Sequence, residues 1–123
     1  RPAHAAAILG QVNAEDLRKL EAAGTKSAVS AGCVLIERGQ YGSGLYVILE
    51  GTVVVEAPEG ERELGPTTIV GERALLSEDG IRTARVRAAT DVSVLAVDRL
   101  DFEQLCADDP ALADRIQSQA TLT

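Results

Sequence analysis

Aromatic side chains are nearly absent from this chain. Its 123 residues include two Tyr, one Phe and no Trp. Tyr41, Tyr46 and Phe102 are therefore read as core or turn residues rather than as a stacking lid. Histidine is equally scarce. His4 is the only one and precedes the patterned part of the chain, which excludes a His-rich metal centre and any Ser-His or Cys-His nucleophilic pair. The two cysteines, Cys33 and Cys106, lie far apart in a pattern that resembles no zinc motif; they are expected to be buried or half-buried thiols in a reducing cytosol. Basic residues are outnumbered, 12 against 19 acidic, for a net charge of −7. That deficit argues against a grip on nucleic-acid phosphates and against a polybasic membrane anchor. No apolar run approaches the roughly 18 residues of a membrane-spanning helix. The alanine-rich patch at 5–9 is too short and weakly apolar for a signal peptide.

The length suits one domain with one core. Because the chain opens at Arg1 and trails off after Ser118 without a cap, the expectation is a domain excised from a larger cytoplasmic protein. The expected division is an extension over 1–12, a helix over 13–24, a β region over 25–98 and helices over 99–118.

Asn13 can cap the first free N–H groups of a helix over 14–23, with Glu15 and Asp16 where the macrodipole favours negative charge. Leu17 and Leu20 give that helix an apolar face, and Gly24 stops it. From 25 to 98 short β-branched runs alternate with turn signals, and strands are expected at 28–30, 34–36, 45–49, 52–56, 83–88 and 92–97. Such spacing predicts a small barrel or jelly roll. Residues 45–49, apolar on both faces, suit a strand with helices packed outside it. Helical periodicity returns with Leu100, Phe102 and Leu105, and a further helix is expected to start at Pro110 and carry Leu112 and Ile116.

One segment interrupts the strands. Gly71 precedes a single expected helical turn over 72–76, whose N–H groups would cradle an anion while Gly71 admits close approach. Ten residues after Glu72 stands Arg82, followed by the Thr83 hydroxyl. A guanidinium can pair with phosphate oxygens, whereas Glu72 would repel phosphate but accept hydrogen bonds from a sugar hydroxyl. An acid for hydroxyls beside a base for phosphate points to a ribose phosphate. The alternative is a structural Arg82–Glu72 ion pair with no ligand.

Gly71, Glu72, Ala74, Leu75, Leu76, Arg82, Thr83 and Ala84 follow, in order, the pattern Gly-Glu-x-Ala-Leu-Leu, loop, Arg-(Ala/Ser/Thr)-Ala. Upstream, Gly39, Gly42, Tyr46, Ile48 and Gly51 supply a matching turn-strand-turn framework. The stretch resembles the phosphate-binding cassette of the cyclic-nucleotide-binding domain family, which includes bacterial catabolite activators, kinase regulatory subunits and gated channels. The resemblance covers roughly residues 14 to 116 and implies a mainly β fold with flanking helices. In detail this is a β-roll, jelly-roll-like, with one N-terminal helix, a short internal cassette helix and two C-terminal helices.

The resemblance also implies site roles. Glu72 takes the ribose 2′-hydroxyl and Arg82 and Thr83 take the cyclic phosphate. N–H groups of Gly71, Glu72, Arg73 and Ala74 assist, and Leu75 and Ala84 line the pocket. Cyclic AMP is the expected ligand and cyclic GMP the alternative, since Thr83 suits either. Val70, Arg73 and Ile81 depart from the usual aromatic, aliphatic and proline, and Glu78 and Asp79 add negative charge to the loop, expected to face water. No metal and no catalysis are implied. The expected partners are the nucleotide, an attached effector domain moved through the C-terminal helices, and a second copy in those relatives that dimerise. The competing expectation is an assembly module with a degenerate pocket.

Overall fold

The computed structural model describes residues 12–40, 44–58, 60–71, 82 and 84–119. Helix α1 runs Ala14–Ala23, the expected bounds, because Asn13 closes its first turn by accepting from the Asp16 N–H at 2.8 Å. Leu20 on its inner face is fully buried and Leu17 half-buried. The chain then passes through Gly24 directly into strand.

Eight strands follow among the described residues: β1 Thr25–Val29, β2 Val34–Ile36, β3 Gly44–Glu50, β4 Val53–Ala57, β5 Gly60–Leu64, β6 Ile69–Val70, β7 Arg85–Ala88 and β8 Val92–Asp98. They form two antiparallel sheets, ordered β1-β8-β3-β6 and β2-β7-β4-β5. Helices α2, Arg99–Asp108, and α3, Leu112–Gln119, complete the fold. The architecture is the expected β-roll with flanking helices.

Strand periodicity explains how one sheet serves two cores. Leu45 and Val47 of β3 join Leu95 and Val97 of β8, Ile69 and the helix residues Leu20, Phe102, Leu112 and Ile116. On the other side of the same sheet, Ile48, Val70, Val92 and Val94 meet Ile36, Val53, Val55, Val86 and Ala88 of the second sheet. The two-faced reading of 45–49 is thereby explained. Each of the Val, Leu, Ile and Phe side chains among them contributes on the order of 1.5–3 kcal/mol by leaving water.

The structure departs from expectation in several places. Strands β5 and β6 were not anticipated. In β5 the sequence Gly-Glu-Arg-Glu-Leu has no apolar alternation, because it is an edge strand paired only with β4 and its charged residues lie exposed. Strand β6 spans two residues, too few for a periodic signal. Strand β1 starts at Thr25 rather than Ala28, since its first residues are polar and exposed while pairing with β8. The last helix starts at Leu112, after a turn closed by the Leu112 N–H on the Asp109 carbonyl. Leu100 is 76% exposed instead of joining Phe102, and Cys33 is exposed rather than buried. Tyr46 and Phe102 do take core positions. The expected cassette helix, together with Tyr41 and His4, lies outside the described residues. No described helix is long and apolar enough to cross a membrane.

Candidate functional site

Strand β6 leads Val70 into the inter-sheet core and is followed by Gly71, whose φ of +87° lies in the left-handed region. A Cβ built on Gly71 would stand 2.5 Å from Nη1 of Arg82 and 2.9 Å from Cδ1 of Ile36. The space a side chain would need is filled by the guanidinium itself.

Arg82 is 7% exposed. Its Nη1 donates to the Gly71 carbonyl at 2.6 Å, and its Nη2 to the Gly44 carbonyl at 2.7 Å. The backbone is tied as well: the Arg82 N–H donates to the Gln40 carbonyl at 2.8 Å, and the Gly39 N–H donates to the Arg82 carbonyl at 3.0 Å. Four anchors on three segments therefore hold one residue. A guanidinium keeps its charge at any pH a protein survives, so burial demands hydrogen-bonded surroundings. These carbonyl oxygens set the orientation of the fork, whose paired N–H groups have the geometry to engage phosphate or carboxylate oxygens.

The neighbouring arginines behave differently. Arg85 and Arg87 point outward from β7. Arg85 Nε meets Glu37 at 2.9 Å, which raises the Arg85 pKa, and Arg87 lies 3.5 Å from Glu56. Both sit on the solvated face of the second sheet, whereas Arg82 turns into the fold.

Among the residues singled out from sequence, the structure brings Gly71 and Arg82 into contact and places Ala84 close by in the chain, 1% exposed in the inter-sheet core. Glu72, Arg73, Ala74, Leu75 and Thr83 lie outside the described residues, as do Glu78, Asp79 and Ile81. Gly44 was missed. Its signal is weak, because its role is carried by a backbone carbonyl, although a Cβ there would lie 2.5 Å from the Val97 carbonyl and hints at the tight fit.

Residues 26–109 match the cyclic nucleotide-binding domain family. The chain is 40% identical over 92 residues to a cyclic nucleotide-gated potassium channel of Rhizobium etli, covering 75% of this chain and 26% of the channel. It is 37% identical over 78 residues to a cGMP-dependent 3′,5′-cGMP phosphodiesterase of Dictyostelium discoideum, covering 63% of this chain and 9% of that protein. The chain thus spans about a quarter or less of these relatives. Among solved structures, the Thermus thermophilus catabolite activator protein superposes with a TM-score of 0.73 at 27% identity, covering 86% of this chain and 52% of that one. A chain from a cyclic-GMP-dependent signalling pathway of bacterial phytopathogenesis superposes with a TM-score of 0.80 at 27% identity, covering 88% and 89%. With its two-sheet roll, its buried arginine against a left-handed glycine and this match across most of its length, the chain belongs to the cyclic nucleotide-binding domain family.

Proposed function

We propose that this domain senses cyclic AMP and transmits the binding event through its C-terminal helices to an attached effector. The observation that carries the reading is Arg82, buried and held against Gly71 where strand β6 ends. In this reading Arg82 and Thr83 hold the cyclic phosphate. Glu72 accepts from the ribose 2′-hydroxyl, N–H groups over 71–74 complete the phosphate cradle, and Leu75 and Ala84 wall the pocket. In this reading Arg73 takes part through its backbone N–H. A ligand moves the helices only by contacting their two arrangements differently.

Cyclic AMP comes first because the ten-residue interval from Glu72 to Arg82 resembles that of the bacterial activators. Cyclic GMP is the second reading. It is favoured by the Thr83 hydroxyl and by relatives whose names carry cyclic GMP, the Dictyostelium phosphodiesterase and the cGMP-dependent kinases of two nematodes. The domain itself performs no chemistry in this account, and its location is the cytoplasm. Competition against a fluorescent cyclic-nucleotide analogue ranks the bases. Displacement by cyclic AMP at the lower concentration supports the first reading, and a preference for cyclic GMP replaces it with the second. Failure of the analogue to bind favours an assembly module with a degenerate pocket.

A further inference from the structure

Four charged side chains join the first helix to the last. Asp16 and Lys19 stand three positions apart and so share one face of α1. Asp16 is only 1% exposed. Arg115 of α3 donates its Nε to Asp16 Oδ2 at 3.1 Å and its Nη2 to Asp16 Oδ1 at 2.9 Å, a two-pronged engagement. The same Nη2 also donates to Asp109, which accepts from Lys19 Nζ at 2.7 Å. Asp109 is the C-cap of α2, so all three helices meet at this cluster.

Helix electrostatics alone would not place an acid there. The C-terminal end of α2 is the negative end of its dipole, and its last turn has no base. Arg115 and Lys19 offset that penalty, and their hydrogen bonds hold the Asp109 carboxyl down at about 2. The cluster therefore specifies a geometry. Apolar contacts tolerate sliding, whereas a two-pronged fork on a carboxylate is engaged or is not; without it Asp16 keeps the Asn13 side-chain amide at 3.2 Å but loses its charged partner.

The cluster is also separable from the roll. Among the described residues, the core between the two sheets takes no side chain from α1, α2 or α3, so α3 is not one of its walls. Among its described side chains, α3 contributes Leu112 and Ile116 to the helix-facing core. A chain of contacts runs from Arg82 to the start of α2, the helix whose C-cap is Asp109. Arg82 Nη2 holds the Gly44 carbonyl, Gly44 pairs with Asp98, and Asp98 caps the N-terminus of α2 by accepting from the Asp101 N–H at 2.8 Å.

From this arrangement we infer that Asp16, Arg115, Asp109 and Lys19 form a latch. It seats α3 on α1 in one of two discrete arrangements, and nucleotide binding biases that choice. The nucleotide half rests on the function proposed above; the latch half rests on the geometry alone. A latch that opens locally loosens α3 while the roll stays closed.

Hydrogen exchange followed by mass spectrometry separates these possibilities, on the wild type, Asp109→Asn and Arg115→Gln. Asp109→Asn keeps the Asp16–Arg115 fork, and exchange of the α3 amides is expected to rise about threefold, the order of a partly exposed ion pair. Arg115→Gln leaves Asp16 without its fork, and the same amides are expected to exchange about thirtyfold faster or more. In both variants the β8 amides stay within about twofold of the wild type, because local opening leaves the roll protected. A rise in β8 exchange that keeps pace with α3 overturns the latch, as does unchanged exchange in α3. In the wild type, saturating cyclic AMP or cyclic GMP is expected to shift α3 exchange by about threefold or more, the size of a modest coupling energy. Nucleotide that binds without moving α3 exchange overturns the coupling. A wild type that binds neither nucleotide defeats the cyclic-nucleotide reading instead, and the two variants still decide the latch.

Discussion

Gly71→Ala and Gly32→Ala form a matched pair that isolates the seating of Arg82. Both glycines have nearly the same left-handed backbone, φ +87° and φ +90°. Placing alanine in that conformation costs about 1–2 kcal/mol at either position. Their surroundings differ. A Cβ at Gly32 meets nothing within 4 Å, whereas one at Gly71 stands 2.5 Å from Arg82 Nη1 and 2.9 Å from Ile36. Relieving the overlap means moving the guanidinium off the Gly71 carbonyl, which removes a buried hydrogen bond from a charged donor, worth about 1.5–3 kcal/mol. Gly71→Ala should therefore exceed Gly32→Ala in destabilisation by about that amount, read from equilibrium urea unfolding of the two variants and the wild type. Gly71→Ala should also weaken cyclic-nucleotide binding, while Gly32→Ala leaves it unchanged. Equal destabilisation, within about 0.5 kcal/mol and so inside extrapolation error, would refute the seating of Arg82 against Gly71.

Two further predictions concern charge. The Asp109 carboxyl sits at about 2 against an ordinary 3.8, so its contribution to stability is fully present above the ordinary value and is lost as pH falls through about 2. The melting-temperature difference between wild type and Asp109→Asn should accordingly shrink on acidification from pH 5 to pH 2; a constant difference contradicts the pairing with Arg115 and Lys19. Arg85→Ala, which cuts an outward ion pair with Glu37, should leave nucleotide affinity within about twofold, as surface pairs contribute little. A loss as large as that of Arg82→Ala would show that the wrong arginine has been assigned.

Legibility from sequence followed physical strength of signal. Helix α1 was readable to the residue because Asn13, the acidic first turn and the leucine spacing all agree. Strand β3 was readable from its two apolar faces, which the two cores now explain. Edge strand β5 was not, since a charged edge carries no hydrophobic period. Leu100 was placed on the apolar face by spacing, but the first turn of α2 turns it to solvent while Phe102 packs inward. At the site, Gly71 and Arg82 were each legible as candidates because chemistry and spacing coincide there, while the hydrogen bond between them was not legible. The Gly44 and Gln40 carbonyls were not, for backbone atoms carry no residue signature. The Asp16–Arg115 fork joins positions 99 residues apart, and Asp16 read alone as an ordinary dipole-favoured acid.

Whether this domain binds a cyclic nucleotide through Arg82 is decided by calorimetric titration of the chain with cyclic AMP and cyclic GMP, beside Arg82→Ala. Saturable binding at one site is expected, weakened in Arg82→Ala by about 2 kcal/mol or more, roughly thirtyfold, as when a charged hydrogen-bond partner is lost. The contradicting result is a folded wild type that binds neither nucleotide up to millimolar concentration, or an Arg82→Ala variant that binds as tightly as the wild type.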